Sequence, residues 1–190
     1  MRLPFEPAYP VLTDRLLVRP VELPGDLEPM LAYRSREDVC RYIPPTPATL
    51  DSITQAFSDP ERVRSTLTEE GQHLQLSVVR RDTGELIGDL ILFLRSVEHR
   101  SAEIGYVLNP DHRGQGFATE AAAALLELCF DGLDVHRVYA RIDERNPASG
   151  AVLRKIGMRQ EAVLVENEWF KGEWSTEIDF AILQREWRGR

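Results

Sequence analysis

The run Arg113-Gly114-Gln115-Gly116-Phe117-Ala118-Thr119 lies between a strand-like segment, Ala102 to Leu108, and a helix-like one, Glu120 to Phe130. A strand that passes through glycines into a helix presents backbone N–H groups at the helix N-terminus. There the glycines let an anion approach and the helix dipole favours its charge. Arg113 adds a fixed cation at the mouth and Thr119 a hydroxyl in the first turn, so the loop suits a pyrophosphate better than a single carboxylate. Two other phosphate loops are excluded. A P-loop needs Gly-Lys-Ser/Thr, which is absent, and the dinucleotide pattern G-x-G-x-x-G has Thr119 at its third glycine.

A chain of 190 residues buries one good core and is short for two, so residues 1–190 are expected to form a single domain. No apolar run reaches membrane-spanning length and Met1-Arg2-Leu3-Pro4 opens no signal peptide, which implies a cytoplasmic protein without a membrane partner. Cys40 and Cys129 are too few for a disulfide framework and read as plain thiols. His73, His99, His112 and His136 lack metal-ligand spacing, so no metal is expected. The net charge of −8 argues against a nucleic-acid partner and fits a cationic one better.

Asp14 to Val21 alternates as a strand, and Pro24-Gly25-Asp26 caps a helix running to about Arg36. Thr46-Pro47 reads as the N-cap and first position of a second helix, and Tyr42-Ile43-Pro44-Pro45 is a stiff loop whose apolar residues suit a pocket wall. His73 to Arg81 and Glu85 to Arg95 form an antiparallel hairpin about Asp82-Thr83-Gly84. In the next strand Ala102, Ile104, Tyr106 and Leu108 share one face, and Glu103, Gly105 and Val107 the other. A helix, a strand from His136 to Ile142, a helix from Pro147 to Ile156 and two strands, Val163 to Val165 and Glu177 to Leu183, follow. The order is strand, two helices, three strands, helix, strand, helix, two strands, with a right-handed parallel crossover at residues 102–142. Pro4, Pro7 and Pro10 make the first twelve residues an extended arm.

R-x-x-G-x-A after a strand ending Ile104-Gly105-Tyr106-Val107-Leu108 resembles the acetyl-coenzyme A motif of the GNAT (GCN-five-related) N-acetyltransferase superfamily. Asn146-Pro147-Ala148-Ser149, then Leu153-Arg154-Lys155-Ile156-Gly157-Met158, is similar to the family's N-x-x-S/A…K-x-G-F/M signature. Thr13-Asp14-Arg15-Leu16-Leu17-Val18-Arg19-Pro20 and Glu168-Trp169-Phe170-Lys171-Gly172-Glu173-Trp174 resemble the RimJ/RimL-like, ribosomal-protein-alanine acetyltransferase branch. The resemblance covers nearly the whole chain. It implies the α/β GNAT fold: a mixed, mostly antiparallel seven-stranded sheet whose parallel pair, 102–108 and 136–142, splays apart.

The resemblance further implies that acetyl-CoA is the cosubstrate. Its pantetheine would lie against Val107 and Leu108, its pyrophosphate on Arg113, Gly114, Gln115, Gly116, Phe117, Ala118 and Thr119, and Asn146 would hold it from the other wall. Asn146 reads equally well as an N-cap before Pro147. Two acids compete as the base that neutralises the amine. Glu168 stands where RimJ/RimL relatives place theirs and is favoured; Glu103 stands where many other GNAT enzymes carry theirs. Removing a proton takes roughly one pH unit of help for an α-amine and about three for lysine. Where the family often has a tyrosine general acid, seven residues after Asn146, this chain has Leu153. Ser149 stands in the slot that RimJ/RimL relatives fill with serine, which implies a hydroxyl that protonates or hydrogen-bonds the departing sulfur; it reads also as a serine that only bonds its own helix turn. Trp169 and Phe170, with Trp174, either wall the acceptor site or pack in a core or dimer interface.

The resemblance implies an N-acetyltransferase for a primary amine, foremost a protein N-terminal α-amino group, and by the same analogy a homodimer is expected. The alternatives are a small-molecule amine or antibiotic acyltransferase, acetyl or succinyl, and a non-catalytic acyl-CoA sensor. A dinucleotide oxidoreductase is disfavoured because an antiparallel hairpin, not a βαβ unit, precedes the loop.

Overall fold

In a computed structural model, which describes residues 1–189, the chain opens with β1 (Val11–Leu12), β2 (Leu16–Pro20), α1 (Leu27–Arg34), α2 (Glu37–Cys40) and α3 (Leu50–Phe57). The hairpin β3 (His73–Arg80) and β4 (Leu86–Ser96) follows, then β5 (Ser101–Leu108), α4 (Phe117–Glu127) and β6 (Arg137–Asp143). The chain finishes with α5 (Pro147–Lys155), β7 (Arg159–Phe170), β8 (Glu173–Leu183) and α6 (Gln184–Arg188). All eight strands form one sheet in the order β1-β2-β3-β4-β5-β6-β8-β7, antiparallel except where β5 meets β6.

The expected order is kept from the hairpin onward, with two short helices that were not expected, α2 and α6, and one strand more than the expected seven. The eighth is β1, inside the segment read as an extended arm. Val11 and Leu12 pair with Val18 and Leu17, and Phe5 bridges Leu67 through two backbone hydrogen bonds of 2.8 and 2.9 Å. Phe5 is buried in the main core, and burying an aromatic ring outweighs the extended preference of the prolines around it. Thr49, not Thr46, caps α3, in a reciprocal pair with Ser52. Asp26 does stand at the N-cap of α1, but its carboxylate is taken by Arg19 (2.6 and 2.8 Å), Ser77 (2.7 Å) and the Glu22 N–H (2.9 Å). The last two strands run far beyond their apolar centres because they pair with each other from Arg159↔Ala181 to Phe170↔Glu173, across irregularities at Gln160/Ala162 and Leu164/Glu168.

Strand alternation gives the sheet two apolar faces, each covered. On one, Phe117, Ala121 and Leu125 of α4 and Leu153 of α5 pack on Leu74, Leu76, Ile104, Val138 and Phe180. On the other, Met30 and Tyr33 of α1 and Ile53 and Phe57 of α3 pack on Val79 and Leu86.

The middle of the sheet opens. β5 and β6 pair only at Ser101↔Arg137, Ala102↔Val138 and Glu103↔Tyr139, while β4 follows β5 to Leu108 and β8 follows β6 to Asp143. From Ile104 to Leu108 one edge of β5 therefore has no strand beside it. Gly88 holds that free half of β5 in place by close approach. A Cβ there would lie 2.4 Å from the Val107 carbonyl oxygen and 3.1 Å from the Leu108 Cα. Gly88→Ala is expected to push β5 toward the opening and cost about 1–3 kcal/mol. A thermal melt should show a Tm lower by roughly 3–10 °C; an unchanged Tm would show that the strand yields freely.

Candidate active site

At its C-terminal end β5 runs through a 3-10 turn, Pro110–His112, into the glycine loop. Gly114 and Gly116 have φ of +76° and +83°, the left-handed region that L side chains enter at a cost. Gly116 is the N-cap of α4 and no side chain caps the helix, whereas Thr49 caps α3 and Asn146 caps α5. An uncapped first turn leaves N–H groups facing outward for an anion. Arg15 braces the loop from β2's approach. Its Nη1 donates to the Gln115 carbonyl (2.8 Å), its Nε donates to Glu120 (2.7 Å), and the guanidinium lies 4.5 Å from the centre of the Phe117 ring. Burial opposes ionisation of Glu120, but hydrogen bonds from Thr13, the Arg15 backbone and the Arg15 side chain hold its carboxyl below the usual range. Arg113 is exposed, 3.7 Å from Asp38.

The opening between β5 and β6 is part of a cavity of about 820 Å³. Alternation assigns its two walls. Ile104, Tyr106, Ala140 and Ile142 line it on the α4–α5 side with Asn146, Ser149 and Leu153 of α5. Val107, Gly105 and Glu103 line the other side, with Asp89, Ile91 and Phe93 directly across from them on β4. Tyr42, Ile43, Pro44 and Pro45 form a wall, as the stiff proline loop implied.

Asp89 is 2% exposed in the middle of an apolar strand, so it needs donors for every lone pair. It has them: Tyr33 Oη at 2.5 Å, Arg34 through Nε (3.0 Å) and Nη2, and Gln75 Nε2 at 2.7 Å. Burial and then the Asp89 charge push the Tyr33 phenol well above its ordinary range. Arg34, though burial opposes its charge, is held firmly protonated by Asp89.

Four residues expected at the site are brought together here: Glu103, Val107, Asn146 and Ser149. Glu103 accepts from Arg95 Nε at 2.7 Å. The Asn146 side chain accepts the Ser149 N–H at 3.2 Å, the N-cap use. Ser149 Oγ lies 2.8 Å from Tyr106 Oη, which is also 3.0 Å from the Ser149 carbonyl. Burial raises the Tyr106 phenol to about 12. Leu108 sits at the end of β5, paired with Gly88 and packed against the core. Glu168, Trp169 and Phe170 lie away from the cavity lining, on the β7–β8 hairpin. Glu168 is exposed opposite Ser175. Trp169 is 61% exposed, edge-on to Trp174 at 5.3 Å, and the Phe170 ring has Lys171 Nζ 5.2 Å from its centre.

Sequence reading missed Arg15, Asp89 with Arg34, and Tyr106. Asp89 carried a signal, a lone acid amid Leu86-Ile87-Gly88-Leu90-Ile91 that has to find buried partners. Tyr106 carried none beyond its place on an apolar face.

The family model described as Acetyltransferase (GNAT) domain matches residues 15–159, the span from the arginine that braces the glycine loop to the first residue of β7. The chain belongs to the GNAT acetyltransferase family. It is 33% identical over 178 residues to uncharacterized N-acetyltransferase YnaD of Bacillus subtilis (strain 168), covering 93% of this chain and 98% of that one. It is 26% identical over 157 residues to spermidine N(1)-acetyltransferase of Escherichia coli (strain K12), covering 80% and 84%. Among solved structures, a GNAT-family acetyltransferase from Bacillus anthracis superposes with a TM-score of 0.82 at 30% identity, covering 93% of this chain and 99% of that one. Spermidine N-acetyltransferase from Vibrio cholerae, in complex with CoA and spermine, shares the fold with a TM-score of 0.78 at 23% identity, covering 93% and 99%. The chain is thus an acetyl-CoA-dependent amine N-acetyltransferase, and the uncapped turn and the opened strand edge fit that cosubstrate.

Gly116→Glu places a carboxylate where the anion should sit and a side chain where φ is +83°. Titration calorimetry should find coenzyme A binding weaker by about 100-fold or more, with far-UV circular dichroism unchanged. Undiminished binding would sink the phosphate-loop assignment.

Proposed function

We propose that the chain acetylates a protein N-terminal α-amino group, in the manner of the RimJ/RimL-like branch, as a single cytoplasmic domain. The observation that carries this reading is the opening in the sheet, with the uncapped helix at one end of β5 and Glu103 near the other. On this reading the amine lies on the Glu103 side. Asp89 and Glu103 are the carboxylates that line the cavity, and Arg34 holds Asp89, so with one amine at Glu103 the wall offers no free carboxylate to the second ammonium of a polyamine. An α-amine titrates near 7.7–8.0 and one modest base frees it. A small-molecule amine is the second reading, favoured by a cavity volume within the range of small-ligand pockets.

Glu103 takes one proton from the ammonium, and the nitrogen forms its bond to the acyl carbon as the carbon–sulfur bond breaks, shedding its second proton to solvent. A β5 backbone N–H near Val107 serves the oxyanion. On the opposite wall the single Tyr106 phenolic hydrogen serves either the Ser149 carbonyl or Ser149 Oγ. When it goes to Oγ, the seryl hydrogen is free for the departing sulfur, whose pKa near 8.5 asks for only a weak acid. Leu153 fills the space of the family's usual tyrosine and contributes no proton. Glu168 would reach the acceptor only from the hairpin beyond the cavity. Homodimerisation belongs to the same reading, since edge strand β7 leaves Val165 and the Trp169–Trp174 pair exposed for a symmetric partner.

Thiol release from acetyl-CoA, measured against N-terminal peptides, lysine peptides and spermidine, tests the assignment. Glu103→Gln should lower kcat/KM about 100-fold and move the rate toward the amine's own titration at higher pH; Glu168→Gln should stay within about threefold. The reverse pattern assigns the base to Glu168. Ser149→Ala and Tyr106→Phe should each lower kcat rather than raise KM, and the double variant should be little worse than either. An inactive parent that still binds coenzyme A would leave the sensor reading.

A further inference from the structure

Four guanidinium groups line the cavity, those of Arg34, Arg62, Arg95 and Arg141, against two carboxylates, Asp89 and Glu103. The carboxylates are spoken for. Arg34 grips Asp89 with two of its nitrogens and Arg95 Nε donates to Glu103 at 2.7 Å. Arg141 comes no closer than 3.7 Å to Asp179, beyond hydrogen-bond reach. Among the described residues Arg62 pairs with no carboxylate at all, and its side chain donates no hydrogen bond.

Cosubstrate phosphate does not account for these cations. The phosphate loop follows the C-terminal end of β5, whereas Glu103, bonded to Arg95, lies near the start of that strand. Phe93 pairs with Glu103 across β4 and β5, and the His73 ring lies on Phe93 with centroids 5.3 Å apart. Burial lowers the His73 imidazole below its usual range, and Arg62, Arg64 and Arg95 lower it further against the opposing Asp59. Arg95, whose guanidinium lies 4.3 Å from the centre of the Phe93 ring, and Arg62, which acts on the same His73, thus lie toward the Glu103 end of the cavity, whereas Arg34 stays with Asp89 across from Val107.

Granted the transferase activity proposed above, we propose that the acceptor is an α-amine with a carboxylate close beside it, and that Arg62 is the residue that selects for it. The acceptor's carboxylate meets Arg62 at the mouth beside Arg95, while its amine reaches Glu103. The two charges of the acceptor then face opposite charges of the wall. A polyamine brings only cations, which Arg62 repels; Arg141 is offset by Glu177, Glu103 and Asp179 around it. Two sources supply this chemistry, a peptide N-terminus followed by Glu or Asp and a free amino acid, and the acceptor set separates them.

The test is kcat/KM by thiol release for a peptide with Glu at its second and third positions, the same peptide with Gln there, free alanine, alanine amide and spermidine. The acidic member of either matched pair should lead by about tenfold. Preference within the peptide pair names a protein acceptor, and preference for alanine over its amide a free amino acid. Arg62 is exposed, so Arg62→Glu should fold normally. It should cut the preference about fivefold or more through acceptor KM, with kcat and the KM for acetyl-CoA unchanged, and Arg62→Gln should fall between. The preference should shrink as salt rises. A parent that uses each pair equally or favours spermidine, or an Arg62→Glu protein that keeps the preference, overturns the proposal while leaving the transferase standing. Thiol release with none of the acceptors overturns both.

Discussion

Three residues of pairing hold β5 to β6, and the site exists because the pairing stops there. Had it continued, the backbone of residues 104–108 would be satisfied by β6 and the sheet would be closed. Two things end it. Beyond Glu103, β5 stays with β4 in unbroken register to Leu108, and β6 stays with β8 to Asp143. Each central strand is thus committed to its outer neighbour. Gly88 allows the backbone of β4 to press against Val107 and Leu108, which draws β5 away from β6. The opening is built by two intact antiparallel ladders that diverge, not by a weak strand.

The net charge of −8 and the charge of the cavity point in opposite directions. A sum over the chain counts acids scattered over solvated faces, where they act on solubility and long-range steering. The cavity sees only its lining, where each carboxylate sits under a guanidinium. Arg34 and Arg95 orient Asp89 and Glu103, because a buried carboxylate needs donors for its lone pairs. A purely cationic acceptor, read from the total, is therefore a weaker inference than an amine that also carries a carboxylate, read from the wall.

What the sequence made legible was whatever depends on local order. The glycine loop, the β3–β4 hairpin, the alternation along β5 and the crossover to β6 all follow from residues within a few positions of one another. The misses share a different cause. Phe5 joins Leu67, Arg15 joins Glu120 and Tyr33 joins Asp89, and each pair is separated by more than fifty residues. Thr46 and Thr49 are equally good caps on paper, and only Ser52 in reciprocal contact with Thr49 decides between them. The sheet opening was implied by family resemblance alone; nothing in the residues of β5 or β6 states where their pairing ends.

Alternation along β5 also explains how one strand serves two proton transfers. Glu103 and Tyr106 are three residues apart, an odd spacing, so their side chains leave opposite faces of the sheet. Glu103 faces Arg95 on one side, and Tyr106 faces Ser149 on the other. A group that takes a proton and a group that supplies one would neutralise each other if they touched. Here the backbone of Ile104 and Gly105 stands between them, and the opening beside that backbone is the one place where both faces meet. On this reading the acyl carbon has to lie in the opening itself, because only there do the amine side and the sulfur side come within reach of a single carbon.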